Sequence, residues 1–236
     1  MAKRKKTVYG WRRRLMRLLW KTAAGVVTVT VAVMLLFRWV PPPTSAFMLQ
    51  QRLAGIPVDY RWVPLDRISP HVPLAVIASE DQKFFAHWGL DLKAIAEAIQ
   101  DNRGRRHPRG ASTISQQVVK NLYLWPGRSY IRKGIEVYFT LLVELLWPKT
   151  RILEVYLNIA EMGKGVHGVE AAGQRFFNKS AARLSRREAA TLAAVLPNPG
   201  HMSVERPSDY VLRRTRQIIG QMKAMGGVAI LNRADR

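Results

Sequence analysis

Residues 71–91 read "HVPLAVIASEDQKFFAHWGLD", an apolar run that closes on two carboxylates, a lysine, two phenylalanines and a histidine. Pro73 stands near the start of the run, and the apolar residues behind it predict a buried helix with charge gathered at its end. A carboxyl at the end of such a helix, flanked by aromatics, is partly desolvated. Its pKa should rise, which suits Glu80 as a general acid or base near neutral pH. A helix cap, or a surface pair with Lys83, accounts for the same residue equally well at this point.

Downstream the chain reads as further helices. Asp91 is the expected N-cap of "LKAIAEAIQ". The basic, Gly- and Pro-broken stretch "DNRGRRHPRGAS" (101–112) reads as a mobile loop. "STISQQVVKNLYL" follows as a helix of two faces, with Ile114, Val118 and Leu122 stepping by four along one side. Ser112, Gln116 and Lys120 step by four beside Thr113, Gln117 and Asn121 on the other. Such a stripe of donors without an acid suits a sugar or phosphate, although a solvated face reads the same way. In "RSYIRKGIE", Arg128, Arg132 and Glu136 share one helical side with Lys133 next to it. This is either an ion-pair ladder or a pyrophosphate cradle with one carboxylate beside it. "SYIRKGIEVYFTLLVELLW" (129–147) runs to Pro148, Thr150 caps "RILEVYLNIA", and Ser185 with Glu188 forms a capping box. A basic amphipathic helix, "YVLRRTRQIIGQMKAM", closes the series. No alternating β-branched stretch is long enough to promise a large sheet. "GKGVHG" (163–168) matches G-x-G-x-x-G formally but follows a helix, so it reads as a tight turn and not a dinucleotide loop. The five histidines show no metal-ligand spacing, and there is no cysteine.

Charge and hydropathy set the setting. The chain carries 38 Lys+Arg against 16 Asp+Glu, a net +22. Residues 1–21 hold nine of the basic residues and no acid precedes Asp59; the other 29 basic and 16 acidic residues leave +13. An anionic partner is implied: nucleic acid, anionic lipid or a phosphate-bearing substrate. The uncharged "TAAGVVTVTVAVMLLF" (22–37), with Lys21 and Arg38 snorkelling and Trp11, Trp20 and Trp39 at the flanks, is long enough to span a bilayer. A cleaved signal peptide fits less well, because the basic region before it is too long and "PTSA" is a mediocre cleavage site. The expected division is a basic cytoplasmic tail (1–21), a transmembrane anchor (22–40), a linker (41–56) and one extracytoplasmic domain (57–236). That topology disfavours nucleic acid as a partner.

The blocks "EDQKFFAHWGLD", "RGASTISQQVVKNL", "RSYIRKGIE", "RILEVYLN" and "GKGVHGVEAAGQRFF" occur in this order, and together they resemble the family 51 peptidoglycan glycosyltransferases over residues from about 57 to 220. The resemblance implies a mainly α, lysozyme-like fold of a large lobe and a smaller membrane-facing jaw behind one N-terminal transmembrane helix. It implies polymerisation of lipid II into linear β-1,4 glycan strands, with inversion at the donor anomeric carbon and release of undecaprenyl diphosphate. Glu80 then matches the general base that takes the proton of the acceptor's 4-hydroxyl, and Glu136 the second glutamate near the departing diphosphate. Lys120 and Arg128 match the diphosphate-binding cations, with Arg132 and Lys133 beside them. Ser112, Thr113, Gln116, Gln117 and Asn121 match the donor-site motif, and Asp81, Phe84 and His87 the shell of the first motif. No cofactor is required by this reading, and a magnesium or manganese ion at the diphosphate near Glu136 is left open. The implied partners are lipid II, the growing glycan chain and membrane lipid, with division or elongation proteins as further options. The implied location is the cytoplasmic (inner) membrane, single-pass, with the N-terminus inside and the domain on the periplasmic side.

Neither Ser-x-x-Lys nor Lys-Thr-Gly occurs, so no transpeptidase is expected and the monofunctional members are the nearer match. Two rivals remain at this stage. A muramidase or lytic transglycosylase would share the fold but has no need of the cations at 120, 128, 132 and 133. A membrane-anchored module that binds anionic wall polymers would suit the +13 balance but not the carboxylates at 80, 81 and 136.

Overall fold

Helix α1 runs unbroken over Lys3–Trp39, and its Trp11–Trp39 portion of 29 residues is long and apolar enough to cross a membrane. The basic stretch expected as a separate tail is therefore helical from Lys3 onward, continuous with the apolar segment. Nothing between them breaks a helix: the segment holds no proline and only two glycines, Gly10 and Gly25. The computed structural model describes residues 3–101, 112–127 and 129–235, with side chains described for 11–97, 112–127 and 129–231. The chain separates into two compact units, Met1–Val40 and Pro41–Arg236.

The second unit begins inside the expected linker. Residues 46–53 form α2 (Ala46–Leu53), capped by Ser45, whose hydroxyl accepts from the Met48 amide at 3.2 Å. Met48 is fully buried, which an extended linker would not allow. Then come α3 (His71–Glu80), α4 (Leu92–Asp101), α5 (Ile114–Tyr123), α6 (Tyr130–Leu146), α7 (Lys149–Ile159), α8 (Val169–Phe177), α9 (Arg186–Val195) and α10 (Asp209–Ala224). The mainly helical class holds. A small sheet joins β1 (Asp59–Tyr60), β2 (Glu161–Gly163) and β3 (Val166–His167) in the order β1-β3-β2, with β1 parallel and β2 antiparallel to β3.

The helices pack in two groups. Helix α3 is buried on every side from Val72 to Ala78 and lies against α9 and α10, which explains why its sequence shows no polar face. Helix α5 packs on α6 and α7, and α8 touches both α7 and α9. Caps follow the sequence in most places: Asp91 accepts from the Ala94 amide at 2.9 Å, Ser129 caps α6, and Ser185 with Glu188 forms the expected box. Thr150 is not a cap. Helix α7 starts at Lys149, two residues before the expected Arg151, after Pro148, whose fixed φ sets the entry.

The "GKGVHG" stretch is the β2–β3 turn. Gly165 and Gly168 sit at φ +73° and +83°, and a Cβ on them would fall 2.2 Å from the Pro57 oxygen and 2.4 Å from the Asn158 oxygen. The glycines serve close backbone approach, and no phosphate is needed to explain them. The start of the unit is fastened to this sheet. Tyr60 donates to the Pro42 carbonyl at 2.7 Å. Gln51 of α2 donates to Glu161 at 2.8 Å, and its carbonyl oxygen lies 2.7 Å from Nε2 of the buried His167.

Candidate active site

Glu80 is the last residue of α3, and Asp81 leaves the helical conformation (φ −160°, ψ 75°). The apolar run thus ends where its carboxylate meets the second helix group. Gln117 of α5 donates its amide to Glu80 Oε2 at 2.8 Å, and the Tyr156 hydroxyl of α7 donates to the Gln117 carbonyl oxygen at 3.1 Å. Each contact fixes the next: a carboxylate accepts only, so the Gln117 amide must turn its nitrogen toward Glu80 and its oxygen toward Tyr156. Lys83 pairs instead with Asp91 at 3.4 Å, so the surface-pair reading of Glu80 falls. Burial pushes the Glu80 carboxyl above its ordinary range, against the pull of the Gln117 hydrogen bond, Arg214 and Lys120. Burial likewise pushes the Tyr156 hydroxyl far up, helped by Glu80 and Asp81, so it remains a donor. Arg214 reaches from α10 to the Ser79 carbonyl at 3.1 Å, a cation at the negative end of α3.

The polar stripe of α5 divides in two. Thr113 and Gln116 are buried and form a capping box: the Gln116 amide N–H donates to Thr113 Oγ1 at 3.2 Å, and the Thr113 N–H donates to Gln116 Oε1 at 3.1 Å. The Thr113 hydroxyl also donates to the Gly89 carbonyl at 2.6 Å. These two residues, expected at a donor site, satisfy backbone groups instead, because the first turn of α5 has free N–H groups and no solvent to meet them. Ser112 is exposed and precedes the helix. Gln117, Lys120 and Asn121 remain open and line a cavity of about 170 Å3 with Phe47, Glu161 and His167.

Lys120 is the cation among these. Among the described residues its ammonium makes no hydrogen bond or ion pair, and its neighbour is the Phe47 ring at 5.7 Å. Burial lowers its pKa, an effect opposed by Glu136 and Glu80 and aided by Arg132 and Lys133. Glu136, only 3% exposed, is held by Arg132 at 2.8 Å and Lys133 at 2.6 Å, one on each oxygen. The ladder reading of that motif is therefore the geometry found. The residues do not fit a divalent cation here: both Glu136 oxygens are engaged, and the nearby groups are cations rather than oxygen donors. Arg128 and residues 102–111, expected from the sequence to be a mobile loop, lie outside the described residues.

Asp81, Phe84 and His87, expected as the shell of the first motif, are packed against protein groups. His87 Nε2 lies 2.9 Å from Asp81 Oδ1, and the Ile114 amide donates to Asp81 Oδ2 at 3.1 Å. Phe84 is fully buried beneath the Lys149 ammonium, 4.6 Å from its ring centre. Lys149 in turn donates to the His87 carbonyl at 2.7 Å and to Glu144 at 2.8 Å, and Ser115 donates to the same Glu144 oxygen. Gly89, at φ +72°, passes so close that a Cβ would lie 2.6 Å from Thr140. Sequence reading missed Ser115, Glu144, Lys149, Tyr156 and Arg214. Ser115 and Tyr156 stood inside quoted family blocks, and Glu144 and Arg214 inside quoted helices, but nothing in the local pattern set them apart.

A family model described as Transglycosylase matches residues 50–223. Curated relatives named biosynthetic peptidoglycan transglycosylase come from Pseudomonas putida KT2440 (51% identical over 230 residues, 94% of this chain and 95% of the relative). Others are from Pseudomonas syringae pv. syringae B728a (51% over 222 residues, 92% of each chain) and Pseudomonas entomophila L48 (50% over 229 residues, 94% and 95%). A match of that length, falling on the helices that hold Glu80, Lys120 and Glu136, leaves one assignment: the chain belongs to the transglycosylase family.

Proposed function

We propose that this protein polymerises lipid II into linear β-1,4 glycan strands for the cell wall, as a peptidoglycan glycosyltransferase without transpeptidase activity. The observation that carries the reading is the placing together of two groups: the desolvated carboxylate of Glu80, aimed by Gln117, and the ammonium of Lys120, one helical turn further along α5, which has no hydrogen bond or ion pair among the described residues. A hydrolase of glycan strands needs one protonated carboxyl and no anion-binding cation; a diphosphate leaving group needs the cation.

In this reading Glu80 is ionised and takes the proton of the acceptor's 4-hydroxyl. The freed oxygen attacks the donor anomeric carbon from the face opposite the diphosphate, and the carbon–oxygen bond to the diphosphate breaks with its electron pair, inverting the centre. Lys120 meets the charge that gathers on the departing undecaprenyl diphosphate, where a fixed cation lowers the barrier most. Arg128, which lies outside the described residues, is assigned to the same diphosphate. Arg132 and Lys133 balance the charge of the buried Glu136, and no metal ion enters the step. Gln117 orients Glu80, Asn121 contacts the donor saccharide, and Asp81, Phe84 and His87 hold the shell. Helix α1 anchors the chain, with the N-terminus in the cytoplasm and the catalytic unit at the outer face of the inner membrane.

The test mixes detergent-solubilised protein with labelled lipid II and, separately, with preformed glycan strands. Growth of polymer from lipid II is expected, lost by roughly a hundred- to ten-thousand-fold in Glu80→Gln while lipid II binding persists. Shortened strands with lipid II untouched would mean a hydrolase, and an active Glu80→Gln would remove Glu80 as the base.

A further inference from the structure

A second cavity lies beside the first. Of about 240 Å3, it is bounded by the β2–β3 turn, α8 and the loop after α9, and it shares Pro199 with the cavity that holds Lys120. Phe176 gives it an apolar patch, the tip of its ring so close to the turn that a Cβ on Gly163 would come within 2.6 Å of it. Its rim is cationic, with Lys164 and Arg175 exposed. His201 lies beside them; its Nδ1 donates to the Asn198 side-chain oxygen at 3.0 Å, which leaves Nε2 as an acceptor for a ligand N–H. One acid, Glu205, stands 3.8 Å from Arg175, with side chains 55% and 65% exposed. A pair that open to water is weak, and Arg175 remains available.

We propose that this cavity is a subsite for the carboxylate-bearing peptide carried by the saccharide substrate. The proposal rests on the glycan-polymerase reading above. A peptidoglycan precursor carries a short peptide on the sugar next to its diphosphate. With the diphosphate at Lys120, a peptide of four or five residues extends roughly 13–18 Å, and the space next to that site is the cavity across Pro199. Carboxylates meet Lys164 and Arg175, aliphatic parts cover Phe176, and Glu205 repels.

The test uses the full chain with two lipid-linked disaccharides, one bearing the complete peptide and one with the peptide removed. Lys164→Gln combined with Arg175→Gln is expected to raise KM about five-fold for the peptide-bearing substrate and to leave the peptide-free one unchanged. Glu205→Gln is expected to move KM the other way for the same substrate. Both sites are exposed, so the melting temperature serves as a control for folding. Equal effects on the two substrates, or none on either, would overturn the subsite. A wild type that extends neither substrate would overturn the polymerase reading itself, and this one with it.

Discussion

Glu80 is held in a state that works against the stability of the fold. Burial raises its pKa, so between the ordinary value of 4.5 and the raised one the folded chain holds more protons than the unfolded chain. Stability therefore falls as pH rises through that window, and ionised Glu80 destabilises at neutral pH. Glu80→Gln is expected to melt at a higher temperature than the wild type at about pH 7, with the difference gone at about pH 3, by calorimetry. Polymerisation needs the ionised form, so the rate of wild type should fall as pH drops through a midpoint above the usual carboxylate range. A midpoint at or below 4.5 would contradict the desolvated site. Tyr156→Phe removes the donor that orients Gln117; the expected loss is about 1 kcal/mol, or about five-fold in kcat with KM held. Glu80 was legible because an apolar run ending in carboxylates is a local pattern. Its partners were not: Gln117 is 37 residues away, Tyr156 lies 39 beyond that, and Arg214 reaches back 135 residues to Ser79. Which of several arginines in a basic helix meets α3 is decided by packing, and packing leaves no mark on a single position.

Elements were easier to read than the uses of their ends. The S-x-x-E at 185–188 announced a capping box and formed one. The T-x-x-Q at 113–116 has the same logic but stood in a stripe of hydroxyls and amides, and it read as a ligand face. A short polar side chain can serve either a backbone or a substrate, and only burial separates the two. Thr113→Ala is expected to destabilise by about 1–2 kcal/mol, because the first turn of α5 and the Gly89 carbonyl both lose a partner. Chemical denaturation would measure it, and a change within a few tenths would return Thr113 to the ligand face. Thr150 erred in the opposite direction, for Pro148 had already set the start of α7.

For the whole molecule, the separation of charge from hydropathy was the most legible feature, since nine basic residues followed by an uncharged run need no partner to be recognised. Apolar insertion is not screened by salt, whereas adsorption of a basic protein is. The full chain is expected to stay with lipid vesicles through a wash at about 1 M salt, and release into the wash would mean surface attachment only. The small sheet was illegible because its strands are two or three residues long and owe their pairing to distant segments. That sheet has a mechanical meaning through its ties to the start of the unit. A pull delivered at residue 41 meets the Tyr60–Pro42 bond first, then the Ser45 cap, then the Gln51 clamp on Glu161 and His167. The fasteners peel in chain order, like a zip, and Phe47 sits between the second and the third. Tension would thus draw the ring away from Lys120 before the sheet yields, and the site would register a load while the rest of the unit is still intact.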